Sequence, residues 1–155
     1  MTVVAVTGHR KLRHPGRVRE AIEVELGKLA PPLVGITALA AGADQLFAEA
    51  VLARGGQLEV VLPGRDYLES LDVPTRLRLE RLLVEAEDVT ELDFDEVGQD
   101  AYVAAGHVML ERCDVLFAVW DGGVSRGRGG TADIVRRARE AGIPVVVIEG
   151  ERAAQ

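Results

Sequence analysis

The chain has 155 residues, 48% of them hydrophobic and 28% charged, a composition that excludes a disordered protein. No apolar run approaches the roughly 20 residues that cross a bilayer, and the single cysteine excludes an internal disulfide. The net charge of −7 argues against broad nucleic-acid binding, which needs a basic face. The chain also starts without the basic segment of a signal peptide. We therefore expect a cytoplasmic protein with no membrane association.

Apolar, β-branched runs alternate with stretches of helical period, which is typical of a parallel sheet covered by helices. In chain order the predicted elements are a strand over 3–6, a helix from Pro15, a strand over 34–39, a helix that stops at Gly55, a strand over 58–62, a helix from Asp72, a short strand over 89–92, a helix over 99–112, a strand over 114–120, a helix over 131–141 and a strand over 144–148.

This pattern predicts one three-layer, Rossmann-like α/β domain over residues 1–149, with a frayed tail over 150–155. Its mainly parallel sheet has about six strands, with helices on both faces. In such a sheet, ligands bind beyond the carboxyl ends of the strands, and the loops there are rich in glycine and polar residues. The candidate ligand-binding residues in these loops are Gly8, His9, Arg10, Gly42, Asp44, Asp121, Gly122, Arg128, Gly129, Gly130 and Thr131.

The loop before the last predicted helix carries the strongest signal. Five of the nine residues from Gly122 to Gly130 are glycine, and the helix begins directly after them. Glycines let the backbone approach a phosphate, and the first N–H groups of a helix point at it. The loop therefore predicts phosphate binding. The alternative is a surface loop in which Thr131 only caps the helix.

Two familiar nucleotide motifs do not account for this loop. The chain has no GxxxxGK[ST], so it is not a P-loop NTPase. Residues 127–132 fit GxGxxA, and Glu149 stands where a ribose-binding acid would lie. However, six residues separate Trp120 from Gly127, whereas a dinucleotide fingerprint follows its strand directly. We set a dehydrogenase aside, and we expect neither a cofactor nor a metal ion.

Three carboxylates are candidates for catalysis, in the order Asp121, Asp44 and Asp133. Asp121 directly follows a strand that is apolar throughout, which favours a functional role. Asp44 lies in the first turn of its helix, where it either complements the helix dipole or binds ribose hydroxyls. Asp133 lies in the first turn of the last predicted helix, where it too either complements the helix dipole or has a functional role. The sequence leaves both alternatives open.

Three segments resemble the SLOG superfamily, which includes the Lonely Guy phosphoribohydrolases and the DNA-processing DprA proteins. They are VTGHR at 6–10, AAGAD at 40–44, and the stretch from CDVLFAVWDGG to GRGGTADIV at 113–135. The resemblance implies a Rossmann-like fold, a homodimer, and a nucleotide phosphate held at Gly129, Gly130 and Thr131. The catalytic glutamate of the Lonely Guy signature falls on Ile134.

An isoleucine cannot perform acid–base chemistry, so the resemblance favours binding over turnover. We expect a sensor or carrier of a small phosphate-bearing nucleotide or a ligand derived from one. The alternative is a hydrolase or transferase that acts on the N-glycosidic bond of a nucleoside monophosphate. Such an enzyme needs a carboxylate near the ribose.

Overall fold

The computed structural model of the protein describes residues 1–123 and 130–153. Its strands are β1 (Thr2–Gly8), β2 (Leu33–Thr37), β3 (Gln57–Leu62), β4 (Ala86–Glu91), β5 (Val115–Trp120) and β6 (Val145–Glu149). Its helices are α1 (Pro15–Leu26), α2 (Ala43–Ala53), α3 (Tyr67–Ser70), α4 (Val73–Val84), α5 (Gln99–Arg112) and α6 (Thr131–Glu140).

The six strands form one sheet in the order β4-β3-β2-β1-β5-β6, and every pairing in it is parallel. At its centre Ala5 of β1 lies opposite Ile36 of β2 on one side and Leu116 of β5 on the other. The predicted Rossmann-like architecture is confirmed. All-parallel sheets are buried on both faces, and this explains the unbroken apolar runs of the central strands.

Alternate residues of each strand pack against different helices. Val4 and Val6 belong to the core beneath α1, α2 and α4, whereas Ala5 between them belongs to the core beneath α5 and α6. Two faces and two cores follow from the period of two along a strand. The helices themselves form because their apolar residues recur every three or four positions, as in Val18, Ile22 and Leu26 of α1.

The chain changes faces between the two central strands. The helix that follows β1 lies on one face of the sheet, and the helix that follows β5 lies on the other. The chain therefore leaves these neighbouring strands towards opposite faces of the sheet, and the space between their carboxyl ends is where ligands bind in open α/β sheets. We call this the β1/β5 crevice and define it by Gly8, His9, Asp121 and Gly122.

The segment after β6 corrects the predicted frayed tail. Leu12 and Arg152 form an antiparallel bridge, and the amide of Ala153 donates to the carbonyl of Lys11 at 2.9 Å. Gly150 permits this path, because a Cβ there would lie 2.5 Å from Cγ1 of Val119. Residues 150–153 are thus tied to the loop after β1. Long-range pairing of this kind leaves no local sequence signal.

The boundaries of two other elements differ from the predictions. The strand predicted over 89–92 is longer, since β4 begins at Ala86, two residues after the last residue of α4. The short helix α3 follows the turn at residues 63–66 and was not predicted. In the part of the chain that the structure describes, no helix is both long enough and apolar enough to cross a membrane.

Candidate functional site

His9 and Asp121 meet across the β1/β5 crevice. The backbone amide of Asp121 donates to Nε2 of His9 at 3.2 Å, and the same nitrogen lies 3.3 Å from Oδ1 of Asp121. The amide of His9 donates in turn to the carbonyl of Val119 at 3.3 Å. Two residues that are 112 positions apart are therefore held together at the ends of adjacent parallel strands.

The Asp121 carboxylate is fixed from three sides. Nε of Arg152 donates to Oδ2 at 2.9 Å, and the Gly123 amide donates to Oδ1 at 2.8 Å. These hydrogen bonds, with the nearby His9, lower the pKa of Asp121 to about 2. The carboxylate is ionised at neutral pH and is a weak base. Arg152 had no place among the predicted site residues, since the tail containing it was expected to fray.

Gly8 and Gly42 serve the packing of the loops around the crevice. A Cβ at Gly8 would lie 2.5 Å from Cβ of Ala43, and one at Gly42 would lie 2.4 Å from the carbonyl oxygen of Arg10. Gly42 also has a φ of 75°, which favours glycine. The start of α2 therefore packs directly on the loop after β1, with the Ala43 amide donating to the carbonyl of His9 at 3.2 Å.

This close approach brings Asp44 beside Arg10. Asp44 is only 8% exposed, and the Ala40 amide donates to its Oδ2 at 3.2 Å. Burial raises the pKa of Asp44 to about 7, although the Ala40 amide, the Arg10 charge and Thr37 oppose the shift. A carboxylate that serves a helix dipole from the surface would not be buried. Asp44 is instead a titratable group inside the protein.

Two tyrosines complete this group, and neither was among the predicted site residues. The guanidinium carbon of Arg10 lies 5.0 Å from the centre of the Tyr102 ring, and the rings of Tyr102 and Tyr67 meet edge to face at 6.4 Å. Electrostatic interactions join Tyr67 to both Arg10 and Asp44. We call Arg10, Asp44, Tyr67 and Tyr102 the Arg10 cluster. The signal for Tyr67 was its place in the loop after the third strand.

The start of α6 holds the remaining described candidates. Gly130 and Thr131 begin the helix, and Asp133 in its first turn accepts from Arg136 at 2.6 Å and from Arg137 at 3.1 Å. Ile134 is 4% exposed and packs in the core, as its apolar spacing predicts. Asp133 is therefore neutralised by two arginines of its own helix. The candidates Arg128 and Gly129 lie outside the described residues.

A groove of about 310 Å³ is lined in part by Ala41 and Gly42, which precede α2. Arg10 and Arg78 line it, with Gln45 among its lining residues. Nε2 of Gln45 donates to the carbonyls of Leu39 at 3.2 Å and Thr75 at 3.0 Å. The buried amide thus joins the end of β2 to the start of α4, and Arg10 adjoins both the Arg10 cluster and this groove.

Solved structures share the fold, whereas no protein-family model and no curated protein matches the sequence. DprA from Streptococcus pneumoniae has a TM-score of 0.69 at 20% identity, over 97% of this chain and 51% of that one. DprA from Helicobacter pylori, described as binding single-stranded DNA, has a TM-score of 0.65 at 19% identity, over 94% of this chain and 64% of that one. The molybdenum cofactor (Moco) carrier protein of Chlamydomonas rheinhardtii has a TM-score of 0.55 at 16% identity, over 94% of this chain and 74% of that one.

These similarities define the class of the domain. The resemblance to the SLOG superfamily is confirmed at the level of the fold, which DprA and the Moco carrier protein share. The chain spans about half the length of the S. pneumoniae DprA that it matches.

The comparisons also correct one prediction. The exclusion of broad nucleic-acid binding is wrong, because a protein of the same fold is described as binding single-stranded DNA. The physical reason is that nucleic acid responds to the local potential and not to the net charge of a chain. Arg10, Lys11 and Arg13 follow closely on β1 in the chain of this acidic domain, and Arg13 forms an ion pair with Glu151 at 3.6 Å.

Proposed function

We propose that the protein binds a phosphate-bearing ligand derived from a nucleotide at the β1/β5 crevice, as a sensor or carrier. The position of Arg10 carries this proposal. Its side chain is exposed beside the crevice and makes no salt bridge within the described residues. A guanidinium grips a phosphate with two hydrogen bonds, and phosphate would compete with Tyr102 for the Arg10 donors. The N-terminus of α6, at Gly130 and Thr131, adds backbone donors at the same edge of the sheet.

The carboxylates favour binding over rapid turnover. Arg152 and the Gly123 amide lower the pKa of Asp121 to about 2, so this carboxylate is a poor base near neutral pH. Asp133 is engaged by Arg136 and Arg137 of its own helix. Asp44, with a pKa of about 7, has the acidity that proton transfer needs. If the alternative activity exists, cleavage of an N-glycosidic bond, Asp44 is its acid or base. For that activity we therefore propose Asp44 before Asp121, which the sequence put first.

The groove supports a second candidate function, the binding of a single-stranded nucleic acid. Arg10 and Arg78 line the groove together with the acidic Glu49, and Tyr102, which is not among the lining residues, lies under the Arg10 guanidinium. A cationic groove that follows the backbone is one of the elements with which proteins hold single strands. The homodimer that the resemblance implies stays a prediction.

Thermal-shift and calorimetric titrations of wild type, Arg10→Ala and Arg139→Ala test the proposal. The ligands are inorganic phosphate, adenosine monophosphate and a short oligothymidylate. Arg139 is a matched control, because it lies in the last turn of α6, at the opposite edge of the sheet. Binding at the crevice is supported if Arg10→Ala loses mononucleotide binding and Arg139→Ala keeps it. Binding of only the oligonucleotide, with a steep salt dependence, would replace the sensor with the second candidate.

A further inference from the structure

The Arg10 cluster contains a polar atom that nothing in the described protein satisfies. Tyr67 is 0% exposed, and its hydroxyl is the one buried side-chain oxygen or nitrogen of the described residues without a hydrogen-bond partner. A buried hydroxyl without a partner is destabilising, because it has lost its bonds to water and gained none. Native proteins keep such groups where a ligand or an ordered water completes them.

The surroundings of this hydroxyl are polar on one side. Asp44 and Arg10 both interact electrostatically with Tyr67, and Asp44 accepts from the Ala40 amide through Oδ2. Burial raises the pKa of Tyr67, with the Asp44 charge as the next cause. The phenol therefore stays protonated and is both a donor and an acceptor. The Tyr67 hydroxyl thus lacks a partner, and the Asp44 carboxyl, which Ala40 and Thr37 contact, interacts with the same phenol.

Arg10 is the exposed member of the cluster, whereas Asp44 and Tyr67 are buried. Its guanidinium lies over the Tyr102 ring, in a cation–π contact that is weak at an exposed site. A phosphate that binds Arg10 competes with this contact and draws the guanidinium away from the ring. The atoms next to the phosphate are then the first to reach the two buried groups.

We propose that Asp44 and Tyr67 form a subsite for a sugar hydroxyl of the ligand, which Arg10 opens when it binds the adjoining phosphate. This inference rests on the proposed function and specifies its ligand as a sugar phosphate. A hydroxyl fits both groups, since it donates to a carboxylate and accepts from a phenol. An apolar group would leave the Tyr67 hydroxyl unsatisfied, and a second anion would be repelled by ionised Asp44.

The test compares wild type with Tyr67→Phe, which removes only the hydroxyl. Each is titrated calorimetrically with inorganic phosphate, ribose 5-phosphate and ribose. We expect Tyr67→Phe to bind ribose 5-phosphate about tenfold more weakly than wild type, the factor that a lost hydrogen bond contributes. Its affinity for inorganic phosphate should not change. Its melting temperature without ligand should equal or exceed that of wild type, because an unsatisfied polar atom is gone.

Three results would overturn the subsite. One is an equal affinity of both proteins for ribose 5-phosphate. Another is a clear fall in the melting temperature of ligand-free Tyr67→Phe, which shows that the hydroxyl already has a partner. The third is a wild type that binds phosphate and gains nothing from the sugar. Failure of the proposed function looks different. Wild type would then bind ribose but not inorganic phosphate, and Tyr67→Phe would bind ribose more weakly than wild type does. That result would support the sugar subsite without the phosphate site.

Discussion

Nε2 of His9 and Oδ1 of Asp121 lie 3.3 Å apart across the β1/β5 crevice. Arg152 holds the same carboxylate from the segment that follows β6. Three parts of the chain therefore meet at one carboxylate: the end of β1, the end of β5 and the segment after β6. This convergence fixes the walls of the crevice before any ligand binds.

The pair Arg152–Asp121 predicts a measurable titration. The pKa of Asp121 is lowered to about 2, chiefly by Arg152. A lowered pKa stabilises the fold above the unfolded value of about 4, and that stabilisation is lost as the pH falls towards 2. Both side chains are about one quarter exposed, so we expect less than about 1 kcal/mol. In Arg152→Ala, carboxyl NMR should find the pKa of Asp121 raised from about 2 towards its ordinary value, with the Gly123 amide still lowering it.

The matched control for that titration is Arg139→Ala, which removes a guanidinium at the far end of α6. It should leave the Asp121 titration where wild type has it. A pKa that stays at about 2 in Arg152→Ala would show that the Gly123 amide and His9 suffice, and that the segment after β6 does not fix the crevice.

The raised pKa of Asp44 makes the free energy of unfolding depend on pH in the opposite direction to the effect of Asp121. Folding raises the pKa of Asp44 to about 7, from about 3.9 in an unfolded chain. The folded state therefore binds the proton more tightly, and the free energy of unfolding falls as the pH rises from 4 to 7. Asp44→Asn removes this dependence. The free energy of unfolding of wild type minus that of Asp44→Asn should fall by on the order of 1–3 kcal/mol over this range.

Urea denaturation of both proteins at pH 4, 5.5, 7 and 8 measures this difference. Above pH 7 the difference in free energy of unfolding should no longer change with pH. A difference that is constant from pH 4 to 8 would mean that Asp44 titrates normally and is not the buried acid described above. Since asparagine keeps an acceptor for the Ala40 amide, the variant should retain the fold.

Gly130 tests the anion site at the start of α6. Its φ of −74° is open to any residue, and aspartate is a preferred N-cap. Gly130→Asp should therefore fold at least as well as wild type, while its carboxylate occupies the place of the phosphate and abolishes binding. Gly130→Asn is the control of equal size without the charge. If calorimetry shows that both variants bind phosphate ligands as wild type does, α6 does not face the ligand.

Gly106 and Gly16 form a pair that tests the packing between α5 and α6. A Cβ at Gly106 would lie 2.5 Å from Cδ1 of Ile134, whereas one at Gly16 meets nothing within 4 Å. Alanine favours a helix over glycine by up to about 1 kcal/mol at either position, but overpacking costs about 1–3 kcal/mol at Gly106. Gly106→Ala should unfold at a lower temperature than Gly16→Ala. Equal melting temperatures would show that Ile134 moves freely.

The sequence was sufficient for the architecture because the signals there are local. The helix over 99–112 was predicted with the bounds that α5 has, and the apolar spacing of Ile134 correctly placed it inward. The site depends on contacts between distant segments, which no local pattern records. Arg152 reaches Asp121 only because Gly150 lets the chain cross β5. The burial of Asp44 likewise depends on α2 packing against the loop after β1.

Nucleotide binding without turnover is tested most directly by titrating wild type with adenosine monophosphate. The same samples are then analysed by chromatography for free base. We predict saturable binding that Arg10→Ala abolishes or weakens by about 1–3 kcal/mol, the range for hydrogen bonds to charged groups, with little free adenine over hours. Two results would contradict this account. The first is the absence of binding by any phosphate ligand. The second is efficient release of adenine that disappears in Asp44→Asn or Asp121→Asn, which would make the protein a glycosidic enzyme.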